Sequence, residues 1–89
     1  MRNLIFTNQF KKDYKKIAKQ QKDLRKIKAA FNDLILENPL PRQLKDHNLQ
    51  GNYINHRELH LEPDWLLIYK INDTNEIVAV RTGSHADLF

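Results

Sequence analysis

The chain contains no cysteine. Disulfides, thiolate metal sites and cysteine nucleophiles are therefore excluded, and the fold must stand on its apolar core. Glycine is nearly absent, Gly51 and Gly83 being the only two. No glycine-rich loop is available to cradle a phosphate, and neither an EF-hand loop nor an HExxH pattern occurs. Serine appears once, as Ser84 beside His85. Adjacent residues in an extended segment point apart, so this pair makes a poor Ser-His nucleophile. No apolar run approaches the roughly 20 residues that cross a bilayer, so no membrane association is expected. The N-terminus, MRNLIFTNQFKKDYKK, has only a short apolar patch and no small-residue cleavage site. The chain reads as cytoplasmic.

What is present fits one small domain, residues 1–89. With 40% hydrophobic and 29% charged residues, the composition is that of a globular chain and not a disordered one. The net charge of +4 is unevenly divided. Residues 1–45 hold 12 Lys/Arg against 4 Asp/Glu; residues 46–89 hold 3 against 7, together with all four histidines. The first half thus carries the groups that meet polyanions, and the second carries those that exchange protons near neutral pH. The lysines alone are equally compatible with a solvated helix face, a nucleic-acid surface or an acidic protein partner.

Residues 2–6 (RNLIF) read as a short strand, and Thr7 or Asn8 can cap a helix. Phe10, Tyr14, Ile17 and Ala18 recur at helical spacing, with Lys11, Lys12, Lys15, Lys16, Lys19 and Lys22 on the remaining faces. After a polar break at residues 20–23, Leu24, Ile27, Phe31, Leu34 and Ile35 define a second helix. It should end near Asn38, because Pro39 disfavours helix in the residue before it. Residues 39–52 read as a loop with a short extended piece. Residues 53–61 (YINHRELHL), 65–71 (WLLIYKI) and 76–82 (EIVAVRT) read as strands, separated by turns at Pro63-Asp64 and NDTN. WLLIYKI is apolar on both faces, as a central strand should be. The expected fold is α+β, in the order β-α-α-β-β-β, with a two-helix hairpin on one face of a small, mostly antiparallel sheet.

The groups able to do chemistry are imidazoles and aromatics at strand ends and in loops. His47 precedes Gly51; His60 lies near a strand end, with Asp64 and Trp65 just past the turn; His85 follows Gly83. If neighbouring strands pair, these positions converge on one edge of the sheet, where a rigid scaffold commonly holds catalytic groups. Each has a plainer reading. A loop histidine is usually surface, and His56 is expected to be plain surface. Trp65 and Tyr69 share a strand parity and are more often core. Phe89 is more often a packing anchor or a frayed end. Arg81 could pair with Glu76 or Asp64 instead of a phosphate. The carboxylates show no evident facing pair. Three histidines and an aspartate could bind zinc, but their separations match no recognised ligand pattern, and no metal is expected.

Three segments, LKDHNLQG (44–51), RELHLEPDWLLIYKI (57–71) and RTGSHADLF (81–89), together resemble the YafQ-type toxins of the RelE/ParE superfamily, the toxin halves of bacterial toxin–antitoxin pairs. The order of elements, the lysine-rich first half and the length are similar as well. The resemblance implies a ribosome-associated endoribonuclease, an mRNA interferase, neutralised by a cognate antitoxin protein. In that family the corresponding histidines, the Asp-Trp pair and the C-terminal phenylalanine are implicated in activity, which marks His47, His60, Asp64, Trp65, His85 and Phe89. The same superfamily includes toxins that bind gyrase and cleave nothing, so a non-catalytic toxin is one alternative and a plain RNA-binding domain another.

These residue types suit RNA cleavage. The 2′-hydroxyl attacks the adjacent phosphate once its proton is removed, the phosphorane charge is neutralised and the departing 5′-oxygen is protonated. Imidazoles manage both transfers without a metal or any other cofactor. The expected roles are His85 as acid, and His60, oriented by Asp64, as base. His47 shares that task or steadies the phosphate. Trp65 and Phe89 stack splayed bases. Arg81 contacts phosphate, and Lys11, Lys12 and Lys15 supply salt-sensitive affinity for ribosomal RNA and mRNA.

Overall fold

A computed structural model describes all of residues 1–89. The strands are β1 (Leu4–Phe6), β2 (His47–Asn48), β3 (Arg57–Glu62), β4 (Trp65–Ile71) and β5 (Ile77–Gly83). The helices are α1 (Asn8–Lys19), α2 (Leu24–Ile35) and the short α3 (His85–Leu88). One sheet runs in the order β1-β5-β4-β3-β2, with β1 parallel to β5 and every other pairing antiparallel. This is the expected α+β architecture: the short extended piece expected within residues 39–52 is the two-residue β2, and one element is added, α3 after β5.

Local chemistry sets the helix ends. The Thr7 hydroxyl accepts from the Phe10 N–H at 3.0 Å and donates to the Val80 carbonyl at 2.8 Å, so it caps α1 and ties it to β5. Asp23 caps α2 by accepting from the Arg25 N–H at 3.1 Å. α2 stops three residues short of the expected Asn38. Glu37 takes a left-handed conformation (φ 59°), and the Asn38 N–H reaches back to the Asp33 carbonyl at 2.9 Å, a Schellman closure that ends the helix before Pro39 acts. The strand expected from residue 53 begins only at Arg57. Gly51–Tyr53 winds into a 3-10 turn, and Asn55 is left-handed (φ 68°).

The sheet has two unlike faces, and β4 serves both by strand alternation. Trp65, Leu67 and Tyr69 point under α1 and α2, where they join Phe10, Ile17, Ile27, Phe31, Leu34, Leu59 and Ile77 in the main core. Leu66 and Ile68 point the other way and meet Leu88 of α3 in a core of three buried residues. Burying one such aliphatic or aromatic side chain stabilises by about 1.5–3 kcal/mol, so most of the stability lies on the helix face. β1 pairs with β5 only as far as Ala79. Beyond it, Asp13 of α1 takes the place of a strand partner: its carboxylate accepts from the Thr82 N–H at 3.2 Å and from the Arg81 guanidinium at 2.9 and 3.0 Å. No helix is long and apolar enough to cross a membrane.

Candidate active site

The side chains of interest gather on the face opposite α1 and α2. Glu58 and His60 are two apart on β3 and share that face; the register places His47 of β2 directly opposite Glu58. The Glu58 carboxylate, nearly buried, lies between two imidazoles, with Oε1 3.4 Å from His60 Nε2 and 3.7 Å from His47 Nε2. On its far side the His47 ring is held by the Lys45 carbonyl, 2.6 Å from Nδ1. A carbonyl only accepts, so Nδ1 carries the proton and neutral His47 keeps its lone pair at Nε2.

His85 reaches the cluster from the end of β5. Gly83 makes the corner at φ 155°, a conformation that favours glycine, and a β-carbon there would sit 3.3 Å from that of Asp87. Ser84 then caps α3 by accepting from the Asp87 N–H at 3.2 Å. Asp64, in the β3–β4 turn, accepts twice from His85: from its backbone N–H at 2.9 Å and from ring Nδ1 at 2.7 Å. Those two bonds, the backbone one first, hold the Asp64 carboxyl below the usual carboxylate range. The carboxylate fixes the ring tautomer and leaves Nε2 free to present a proton when the ring is charged.

The rings form a continuous array. His47 and His60 lie 5.8 Å apart by centroids, His60 and His85 5.8 Å, and His85 and Phe89 6.4 Å. Tyr53 closes the far end, 5.6 Å from Phe89 and 5.8 Å from His56.

Residues 2–89 match the family described as bacterial toxin of type II toxin–antitoxin system, YafQ. The chain belongs to this family. It is 44% identical over 89 residues to the mRNA interferase toxin YafQ of Escherichia coli K12, covering 99% of this chain and 96% of that protein. Among solved structures it is similar to the toxin of the E. coli DinJ–YafQ toxin–antitoxin complex, with a TM-score of 0.89, 44% identity, and 99% and 97% of the two chains covered. It is also similar to a metal-bound toxin from Helicobacter pylori, with a TM-score of 0.93, 39% identity and both chains covered in full.

Within this YafQ-family fold, the structure brings His47, His60, His85, Asp64 and Phe89 to one surface. Three expectations change. Asp64 orients His85, not His60, because the β4–β5 register sets Leu66 against Gly83 and so carries the β3–β4 turn up to the start of α3. His60 has Glu58 instead. Trp65 is wholly buried, its indole N–H bonded to the Thr82 hydroxyl at 3.0 Å, and offers no face to a base. Its parity on β4 puts it under the helices. Arg81 pairs with Asp13, not with Glu76 or Asp64, and that bond raises the guanidinium above its ordinary range while leaving it partly exposed beside Tyr53. Lys11, Lys12 and Lys15 are exposed on α1, and none of them is among the neighbours of the imidazole array.

Two residues escaped the sequence reading. Tyr53 carried no signal. Glu58 did: in RELH a glutamate stands two positions before a histidine within a strand, which sets both on one face. Glu58 also redefines what could hold a metal. Ligand atoms of His47, Glu58 and His60 lie within 4.8 Å of one another, a nitrogen–oxygen donor set suited to zinc or copper.

Proposed function

We propose that this chain is an mRNA interferase, a metal-independent endoribonuclease that cleaves mRNA on the ribosome, inhibits translation in the cytoplasm and is held in check by a cognate antitoxin. One observation supports it above the others: three adjacent imidazoles, two of them with Nδ1 pinned by an acceptor that leaves Nε2 for the substrate.

The division of labour follows from those acceptors. His47, its Nδ1 proton engaged by Lys45, offers Nε2 to the 2′-hydroxyl as general base. Glu58 lies 3.7 Å from that nitrogen and stabilises the imidazolium that forms. His60 is a poorer base than the sequence suggested, because its ring is less exposed than that of His47 and its Nδ1 is buried without a partner. It packs between the other two rings and adds positive potential near the phosphate when charged. His85, its ring oriented by Asp64 through Nδ1, donates a proton from Nε2 to the departing 5′-oxygen. Arg81, set in place by Asp13, contacts the phosphate. Phe89, 63% exposed, and Tyr53 stack an unpaired base. Lys11, Lys12 and Lys15 contribute salt-dependent attraction to ribosomal RNA.

The products are a 2′,3′-cyclic phosphate and a 5′-hydroxyl. End-group analysis of mRNA cut by the purified chain on stalled ribosomes, with and without a chelator selective for zinc and copper and with magnesium kept in excess, tests the reading. Cyclic-phosphate ends formed at equal rate in chelator are expected. Ends bearing 5′-phosphate, or cleavage abolished by the chelator, would overturn it in favour of a metal held by His47, Glu58 and His60.

A further inference from the structure

His47 is held from behind. Asn48, Arg57 and Tyr69 lie side by side across β2, β3 and β4, in the row next to His47 and Glu58. Strand alternation therefore sends them to the helix side of the sheet, and Asp46, two positions before Asn48, joins them there. Arg57 donates to the Asp46 carboxylate from Nε at 3.1 Å and from Nη2 at 2.8 Å, and to the Asn48 side-chain oxygen from Nη1 at 2.6 Å. One guanidinium thus grips the residue on each side of His47. The Tyr69 hydroxyl also donates to Asp46, at 2.7 Å. Tyr69 is 1% exposed, and packing alone would be served by phenylalanine. Burial, and then the adjacent carboxylate, push its hydroxyl above the ordinary range, so it stays a donor.

Asp46 also governs what lies before it. Lys45 is left-handed (φ 52°), an uncommon conformation for a residue with a side chain, and its carbonyl receives His47 Nδ1 at 2.6 Å. That carbonyl belongs to the peptide joining Lys45 to Asp46, so anchoring Asp46 sets its direction. β2 itself has only two residue pairs with β3, which is little main-chain anchorage.

We propose that Asp46, Arg57 and Tyr69 are positioning residues for the general base: they hold the backbone around His47 so that its ring keeps the proton on Nδ1 and the lone pair on Nε2. None of the three lies on the imidazole face. Asp46 and Arg57 neutralise each other, so the bridge orients the ring without adding net charge behind it. The inference rests on the reading of His47 as base.

Tyr69→Phe removes one hydroxyl, and Asp46→Asn sets an amide NH₂ against the guanidinium. Ring-nitrogen NMR, at a pH where the imidazoles are neutral, reports the tautomer of each histidine in the wild-type chain and in both variants. Wild-type His47 is expected in the Nδ1–H form. In both variants the Nε2–H form should appear at His47, while His85, held by Asp64, keeps its signal. Cleavage of ribosome-bound mRNA should lose about 3–30-fold in kcat, with KM within about twofold of wild type. A merely structural role would disturb all three rings together, and that outcome overturns the proposal. So does an unchanged His47 tautomer, or an unchanged kcat, in variants that are folded by circular dichroism. Tyr69→Phe keeps the core ring and so keeps the test decisive if Asp46→Asn fails to fold. A wild-type chain that cuts no mRNA would sink the nuclease reading; the tautomer shift would then still establish the hold on His47, and its absence would overturn it.

Discussion

The two faces of the sheet differ in what they are made of and what they can lose. Under α1 and α2, thirteen buried residues interlock. On the other face only Leu66, Ile68 and Leu88 are buried together, and the rest is a row of rings and carboxylates. One strand supplies both: the odd positions of WLLIYKI build the support and the even positions floor the reactive side. A small domain can place polar, partly exposed histidines on one side because the other side carries the stability.

That division is open to direct attack. Trp65→Ala should hit the supporting face alone. It removes a fully buried indole and leaves Thr82 without its donor, costing about 3–5 kcal/mol in denaturant unfolding, a large part of the total for so small a domain. An unfolding midpoint near wild type would mean that the helix face is not where stability resides. His85→Ala should do the reverse. Removing the proposed acid should lower cleavage by about 10²–10⁴-fold, while stability stays within about 0.5 kcal/mol because the side chain is half exposed. Full toxicity of this variant would remove His85 from the mechanism. Glu58→Gln keeps the shape between His47 and His60 but deletes the charge, and cleavage should fall by about 10–100-fold with the acidic limb of the pH–rate profile altered. An unchanged profile would make Glu58 a packing group only.

The smallest effect concerns Asp64. Its carboxyl titrates lower in the fold than in the unfolded chain, so its contact with His85 stabilises at neutral pH and is lost as pH falls through the depressed value. The gap in denaturant midpoint between wild type and Asp64→Asn should thus be present at pH 7 and close in acid. A gap that widens in acid would reverse the sign of that linkage.

Much of this was legible beforehand because it follows short-range periodicity. Helical spacing of Phe10, Ile17, Ile27 and Leu34 located α1 and α2, and the two-sided apolarity of residues 65–71 marked the central strand. What escaped depends on register. The extended piece expected in the loop of residues 39–52 was legible, but its pairing was not: His47 and Asn48 lie against Glu58 and Arg57. α3 is one turn, held by Ser84 and by Leu88 reaching the second core. Asp64 meets His85, 21 residues away in sequence, and Arg81 meets Asp13, 68 away. No local pattern encodes such pairs. Trp65 shows the converse: its parity already indicated core, and the family resemblance drew it toward the substrate.

The parallel pairing of β1 with β5 has a consequence for biosynthesis. Residues 4–6 cannot find their partners until residues 77–79 have been made, and the reactive histidines themselves span positions 47 to 85. Such long-range closure comes late in folding. The last strand must therefore be made before the first can dock, and the imidazole array is assembled only after His85 has joined the chain.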